Sequence, residues 1–152
     1  MTNPKSIKTI SWKFRDVQES YPEIAFPQSR ITQPQDLYDQ FKSLFHNDVK
    51  EKFVVFWLNS QNRVIGFEVV TEGTLDSSVV HPREVFRGAI VATCRNIIIA
   101  HNHPSGNPEP SNEDISITKK LVESGKIIEI NVFDHIIFTN SGYTSFVEKR
   151  LM

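Results

Sequence analysis

The sequence predicts an α/β fold, a mixed β-sheet flanked by helices, and three observations carry that reading. Apolar runs rich in β-branched and aromatic residues recur at 53–58, 97–100 and 132–138, the first two continuous and the third interrupted by Asp134 and His135, as buried strands require. Around them lie stretches at 37–45, at 85–93 and after Ser111 whose apolar residues or end signals are those of helices. The chain has 152 residues, 39% hydrophobic and 23% charged, which suffices for one domain with a buried core.

The elements follow in order. Residues 1–33 read as an N-terminal extension wrapped on a domain at 34–152. In the extension Ile10, Trp12 and Phe14 alternate, predicting a strand over Lys8–Phe14, and a proline-bearing loop follows at 21–33. From Pro34, the residues Leu37, Tyr38, Phe41, Leu44 and Phe45 form one helical face that ends near His46 and Asn47. Phe53–Leu58 reads as a strand buried on both faces, joined through Asn59–Asn62 to an antiparallel partner at Val64–Thr71, with Gly73 at the exit. Pro82 suits the first turn of a helix with Val85, Phe86, Ala89, Ile90 and Thr93 on its apolar side. Asn96–Ala100 is a further strand, and the prolines of His101–Pro110 predict a loop at its end. Ser111 reads as the N-cap of a helix to Ser124, with Gly125 as terminator. Ile127–Ile130 and Val132–Phe138 read as a closing pair of strands, followed by a turn at 139–142 and a tail helix at 146–152.

Composition narrows the chemistry. A formal charge of -1 supplies no chain-wide attraction to nucleic acid or anionic membrane. The single cysteine, Cys94, excludes an intramolecular disulfide, a Cys-rich zinc site and a Cys-x-x-Cys redox pair, and it agrees with a reducing cytoplasm. No apolar run has signal-peptide or membrane-spanning character, so the expectation is a soluble cytoplasmic protein with no membrane partner.

The chemistry concentrates in His101–Asp114. At a strand exit, residues two apart point the same way, so His101 and His103 can aim both imidazoles at one point. Asp114, in the first turn of the next helix, can return a carboxylate there. Two imidazoles and a carboxylate suit Zn²⁺ and leave a fourth position for water, as catalytic zinc sites do. Ser111-x-x-Asp114 also matches a capping box, which accounts for both residues without function.

His101-x-His103, seven residues, Ser111, two residues and Asp114 together match the JAMM motif of the JAB/MPN metalloprotease superfamily. The spelling His-Asn-His-Pro-Ser-Gly, with Gly73-Thr74 and Pro82–Phe86 upstream and Asp134–Ile137 downstream, resembles the RadC family more specifically, over about 49–146. The resemblance implies a three-layer JAB/MPN (cytidine-deaminase-like) domain and a zinc hydrolase of peptide or isopeptide bonds. By that resemblance His101, His103 and Asp114 bind the metal and Ser111 stabilises an oxyanion. Glu51, just ahead of the first buried strand, takes the place of the superfamily's general acid/base, with Glu68 and Glu72 as competitors. Asp134 and His135 can serve as outer contacts to a ligand histidine, although a histidine in an apolar strand is more often a hydrogen-bonded core residue.

Other metal chemistries fit less well. HNH nucleases draw their three residues from separated positions, nucleobase deaminases need a cysteine pair, and helical zinc proteases need His-Glu-x-x-His. RadC-like proteins are customarily labelled DNA repair proteins, which makes a nucleic-acid role the main rival. Residues 96–118 contain no Lys or Arg, and 1–33 are too short for the helix-hairpin-helix region of longer members. A metal-free binding module is a third possibility, disfavoured by the complete ligand set. The expected partner is a protein or peptide substrate, and oligomeric state is not legible.

Overall fold

The computed structural model describes residues 6–24, 30–46, 48–73 and 79–152. Parts of four sequence expectations lie outside these residues: the segment 1–5, part of the 21–33 loop, the helix end at Asn47, and Thr74. The elements run α1 (Val17–Ser20), α2 (Pro34–Phe45), β1 (Glu51–Leu58), β2 (Val64–Gly73), α3 (Pro82–Val85), α4 (Arg87–Val91), β3 (Asn96–Asn102), α5 (Asn112–Ile128), β4 (Asn131–Thr139) and β5 (Gly142–Ser145).

The strands form one mixed sheet in the order β2-β1-β3-β4-β5. β1 pairs antiparallel with both β2 and β3, β3 and β4 are parallel across the α5 crossover, and β5 returns antiparallel to β4. Strand alternation divides the core into two. On one face Val54, Phe56, Leu58, Ile98 and Ala100 meet α2 through Leu37, Phe41, Leu44 and Phe45, together with Ile24 and Ile31. On the other, Phe53, Val55, Ile97 and Ile99 meet Val85, Phe86 and Ala89 of the short helices and Ile117 and Leu121 of α5. The result is an α/β domain with its sheet between two helical layers, as the sequence predicts.

Five local expectations are corrected. Residues 8–14 form no strand: Ile10, Trp12 and Phe14 are exposed, and without a ladder their alternation has no buried face to serve. The single helix expected from Pro82 is two short ones meeting at Phe86, and Thr93 turns left-handed after α4. Gly125 does not end α5, which continues to Ile128 and closes on left-handed Glu129. The strand expected at 127–130 is therefore absent: Ile127 and Ile128 are exposed in the last turn of α5, Glu129 caps it and Ile130 leads into β4. The tail helix expected at 146–152 is a run of turns after β5, because Phe146 N–H bonds the His135 carbonyl and Val147 N–H and the Ser145 hydroxyl bond Asp134.

Candidate metal centre

β3 extends through Asn102, so His101 is a strand residue and the loop begins only at His103. The site thus sits where β3 ends and α5 begins, the carboxyl end of the parallel pair, where α/β sheets commonly bind ligands. His103 N–H bonds the Phe138 carbonyl at 3.0 Å and the Thr144 hydroxyl bonds the Pro108 carbonyl at 2.7 Å, which fastens the loop to β4 and β5. Gly106 takes a left-handed φ of 81°, where a side chain would be strained.

Ser111 and Asp114 form the reciprocal capping box the spacing predicts. The Asp114 N–H donates to Ser111 Oγ at 3.0 Å, and the Ser111 N–H donates to Asp114 Oδ2 at 2.9 Å. The cap fixes the carboxylate against the histidines. Asp114 Oδ1 lies 3.3 Å from His101 Nε2 and Oδ2 lies 3.2 Å from His103 Nε2, while the two Nε2 atoms are 2.9 Å apart. One donor atom from each residue falls within 4.8 Å of the others.

This donor set fits a divalent metal. Two imidazole nitrogens 2.9 Å apart beside a carboxylate need a cation among them, a proton or a metal, because lone pairs facing one another repel. Tetrahedral zinc with bonds of about 2.0–2.1 Å sets its ligand atoms roughly 3.3 Å apart, close to the three observed separations.

The electrostatics agree with a cation-seeking pocket. Burial acts to raise the Asp114 carboxyl, yet the imidazoles of His101 and His103 and the Ser111 N–H outweigh it and hold the group well below the usual carboxylate range. Asp114 also raises the His103 imidazole against the opposing effect of burial, and the Glu51 charge adds to that rise.

The pairing register accounts for Glu51. Phe53 pairs with His101, and continuing that antiparallel register by two places sets Glu51 beside His103, on the sheet face that carries His101. Asn102 holds this end of β1: it accepts from Lys52 N–H at 2.6 Å and donates to the Lys50 carbonyl at 2.9 Å. The competing glutamates are otherwise placed. Glu68 is paired with Arg87, and Glu72 pairs with Lys52, whose neighbour positions alternate to the opposite face.

Behind the site, His135 is fully buried with Nε2 2.7 Å from His101 Nδ1 and Nδ1 2.5 Å from Thr118 Oγ1. Burial pushes the His135 imidazole well below its ordinary value. Asp134 instead braces the tail, accepting from the Ser145 hydroxyl, Val147 N–H and His135 N–H, although burial raises its carboxyl. Sequence reasoning missed Thr118 and Asn102. Each carried a signal: Thr118 lies four residues after Asp114 on the same helical face, and Asn102 is a polar residue ending an apolar strand. In front, His103 borders an open cleft of about 510 Å³ between the 104–106 loop and Tyr38, Lys42 and His46 of α2 and its end.

A family model described as a RadC-like JAB domain matches residues 31–151. The chain is 44% identical over 119 residues to a UPF0758 protein of Methanosarcina mazei, covering 78% of this chain and 52% of the relative. It is 50% identical over 119 residues to a UPF0758 protein of Staphylococcus carnosus, covering 78% and 53%, and 53% identical over 102 residues to one of Symbiobacterium thermophilum, covering 67% and 44%. The chain spans about half the length of these curated relatives. The model match over most of the chain, on a fold whose motif residues converge, makes this chain a member of the RadC-like JAB domain family.

Proposed function

We propose that the chain is a zinc-dependent hydrolase that cleaves a peptide or isopeptide bond. His101, His103 and Asp114 are the metal ligands, Glu51 the general acid/base and Ser111 an oxyanion donor. The observation that carries this reading is the convergence of three donor atoms within 4.8 Å on a strand end and a capped helix start. A zinc ion held there supplies Lewis acidity, which acidifies water and polarises a carbonyl.

The protein's own groups supply the proton handling. The Glu51 carboxylate takes a proton from the water that adds to the carbonyl carbon and returns it to the departing amine nitrogen, the step amide cleavage requires. Ser111 Oγ accepts from Asp114 N–H, and among the described residues its own hydrogen has no partner, so it is available to donate to the developing oxyanion. The cleft beside His103 has room for a segment of substrate chain. Charge at the motif itself favours a peptide over a nucleic acid, because residues 96–118 carry no Lys or Arg and Lys52 and Lys149 are paired with Asp48 and Glu109, while Lys42 adds a cation on the cleft wall.

Elemental analysis tests the metal and substitution tests the roles. Protein purified without chelator should carry about one zinc per chain, and His103→Ala should lose it. Glu51→Gln should keep zinc and lose hydrolysis across a panel of peptide and isopeptide substrates. Metal-free wild type would overturn the zinc reading, and loss of activity in Glu68→Gln with retention in Glu51→Gln would overturn the glutamate assignment.

A further inference from the structure

The contacts behind the metal centre form a chain with one hydroxyl hydrogen to place. Thr118 Oγ1 lies 2.6 Å from the Asp114 carbonyl oxygen and 2.5 Å from His135 Nδ1. A carbonyl only accepts, so if the hydroxyl hydrogen went to His135, two oxygens would face each other lone pair to lone pair at 2.6 Å. Both contacts become hydrogen bonds only when Thr118 donates to the Asp114 carbonyl and accepts from a His135 Nδ1–H. His135 is completely buried against the Phe53 and Phe146 rings, and among the described residues its ring nitrogens meet only Thr118 and His101, so no carboxylate supports an imidazolium there; the ring is neutral and its Nε2 is then an acceptor. The 2.7 Å contact with His101 follows: His101 Nδ1 must donate.

We propose that Thr118 and His135 are positioning residues that fix His101 as its Nδ1–H tautomer and so keep its Nε2 lone pair turned to the metal position. His103 reaches the same state by a separate route, since its Nδ1 lies 2.7 Å from the Asn107 carbonyl and can only donate there. Two independent carbonyl acceptors, on Asp114 and on Asn107, therefore orient the two ligand histidines. The helix that supplies the carboxylate ligand also sets the proton of a ligand on β3, through one side chain a single helical turn further on. The inference rests on the metal reading only in what the lone pair is for, not in which nitrogen carries the proton.

Long-range ¹H–¹⁵N correlation spectra of the metal-free protein at mildly alkaline pH test the tautomers directly. His101 and His135 should both appear as Nδ1–H species, and an Nε2–H assignment for His101 would overturn the proposal. A chelator competition titration then tests the consequence. Thr118→Val, which keeps shape and removes the acceptor, should weaken zinc binding about 10–100-fold, while Thr118→Ser should restore it to within a few-fold. Wild-type affinity in Thr118→Val would overturn the positioning role. If wild type takes up no zinc while His101 is Nδ1–H, the hydrogen-bond chain stands and the hydrolase reading falls.

Discussion

Gly125→Ala separates two accounts of one residue. If Gly125 were an ordinary interior position of α5 with open space around it, alanine there would stabilise the helix by about 0.5–1 kcal/mol. In the structure Gly125 is buried inside α5, and an added Cβ would stand 2.3 Å from the Ile130 carbonyl oxygen and 3.2 Å from the Phe86 ring. The first contact is with backbone, so relief requires moving the last turn of α5 against the start of β4. Overpacking of this kind costs about 1–3 kcal/mol. A Cβ 2.3 Å from a backbone oxygen sits in the upper half of that range, about 2–3 kcal/mol, and alanine's better helix propensity returns about 0.5–1 kcal/mol, which leaves a net loss of roughly 1–2 kcal/mol. For a chain of 152 residues that corresponds to a fall in Tm of about 2–8 °C. Urea unfolding followed by far-ultraviolet circular dichroism reads the change, with Lys126→Ala, at an exposed neighbouring position, as the control within about 0.5 kcal/mol of wild type. Zinc content should be unaffected, because the Ser111–Asp114 cap lies about three turns away. An unchanged or raised midpoint in Gly125→Ala would refute the close-approach account.

Two further outcomes follow from the site. In the metal-free protein, stability should peak near pH 6.5, the ordinary histidine value. Above it the raised His103 pKa makes the folded state bind the extra proton, so stability falls as pH rises through that pKa. Below it the depressed His135 pKa leaves the unfolded chain binding the extra proton, so stability falls with acid by up to about 1.4 kcal/mol per pH unit. Urea titrations of His103→Ala and His135→Asn should flatten the alkaline and acid limbs respectively, and limbs unchanged by these substitutions would refute the assignment. Asn102→Ala leaves the Lys52 N–H and the Lys50 carbonyl without their partner, costing about 1–3 kcal/mol. Hydrolysis should fall more than zinc content in that variant, because it loosens Glu51 while leaving the three ligands; equal losses would refute a role in holding Glu51.

Much of the fold was legible because its strongest signals are local. The apolar runs at 53–58 and 97–100, the helical face of α2 and the cap at Ser111 are each decided by residues near in sequence. The failures share a different cause. Ile127-Ile-Glu-Ile130 has strand composition, yet helix takes its first half, because Gly125 lets the last turn of α5 pass close to Ile130 and Phe86. The 142–145 segment is too short to announce a strand, and it forms because Ile136–Thr139 offer it an edge. The 8–14 alternation is a good strand pattern that no edge receives.

The candidate site divides the same way. Sequence alone selected His101, His103, Ser111 and Asp114, since strand periodicity and a capping box fix the direction of each within fourteen residues. It also restricted the metal chemistry to imidazole and carboxylate, because one cysteine leaves no thiolate alternative. Which glutamate lies nearest them depended on tertiary register: continuing the β1–β3 pairing sets Glu51 by His103, while Arg87 and the opposite sheet face take Glu68 and Glu72. His135 and Thr118 come from β4 and α5, and only the parallel crossover brings one behind His101 and the other within its hydrogen-bond reach. Directions along the chain are set by local bonding, whereas proximity between distant segments is set by packing, and the proton that orients His101 is a matter of proximity.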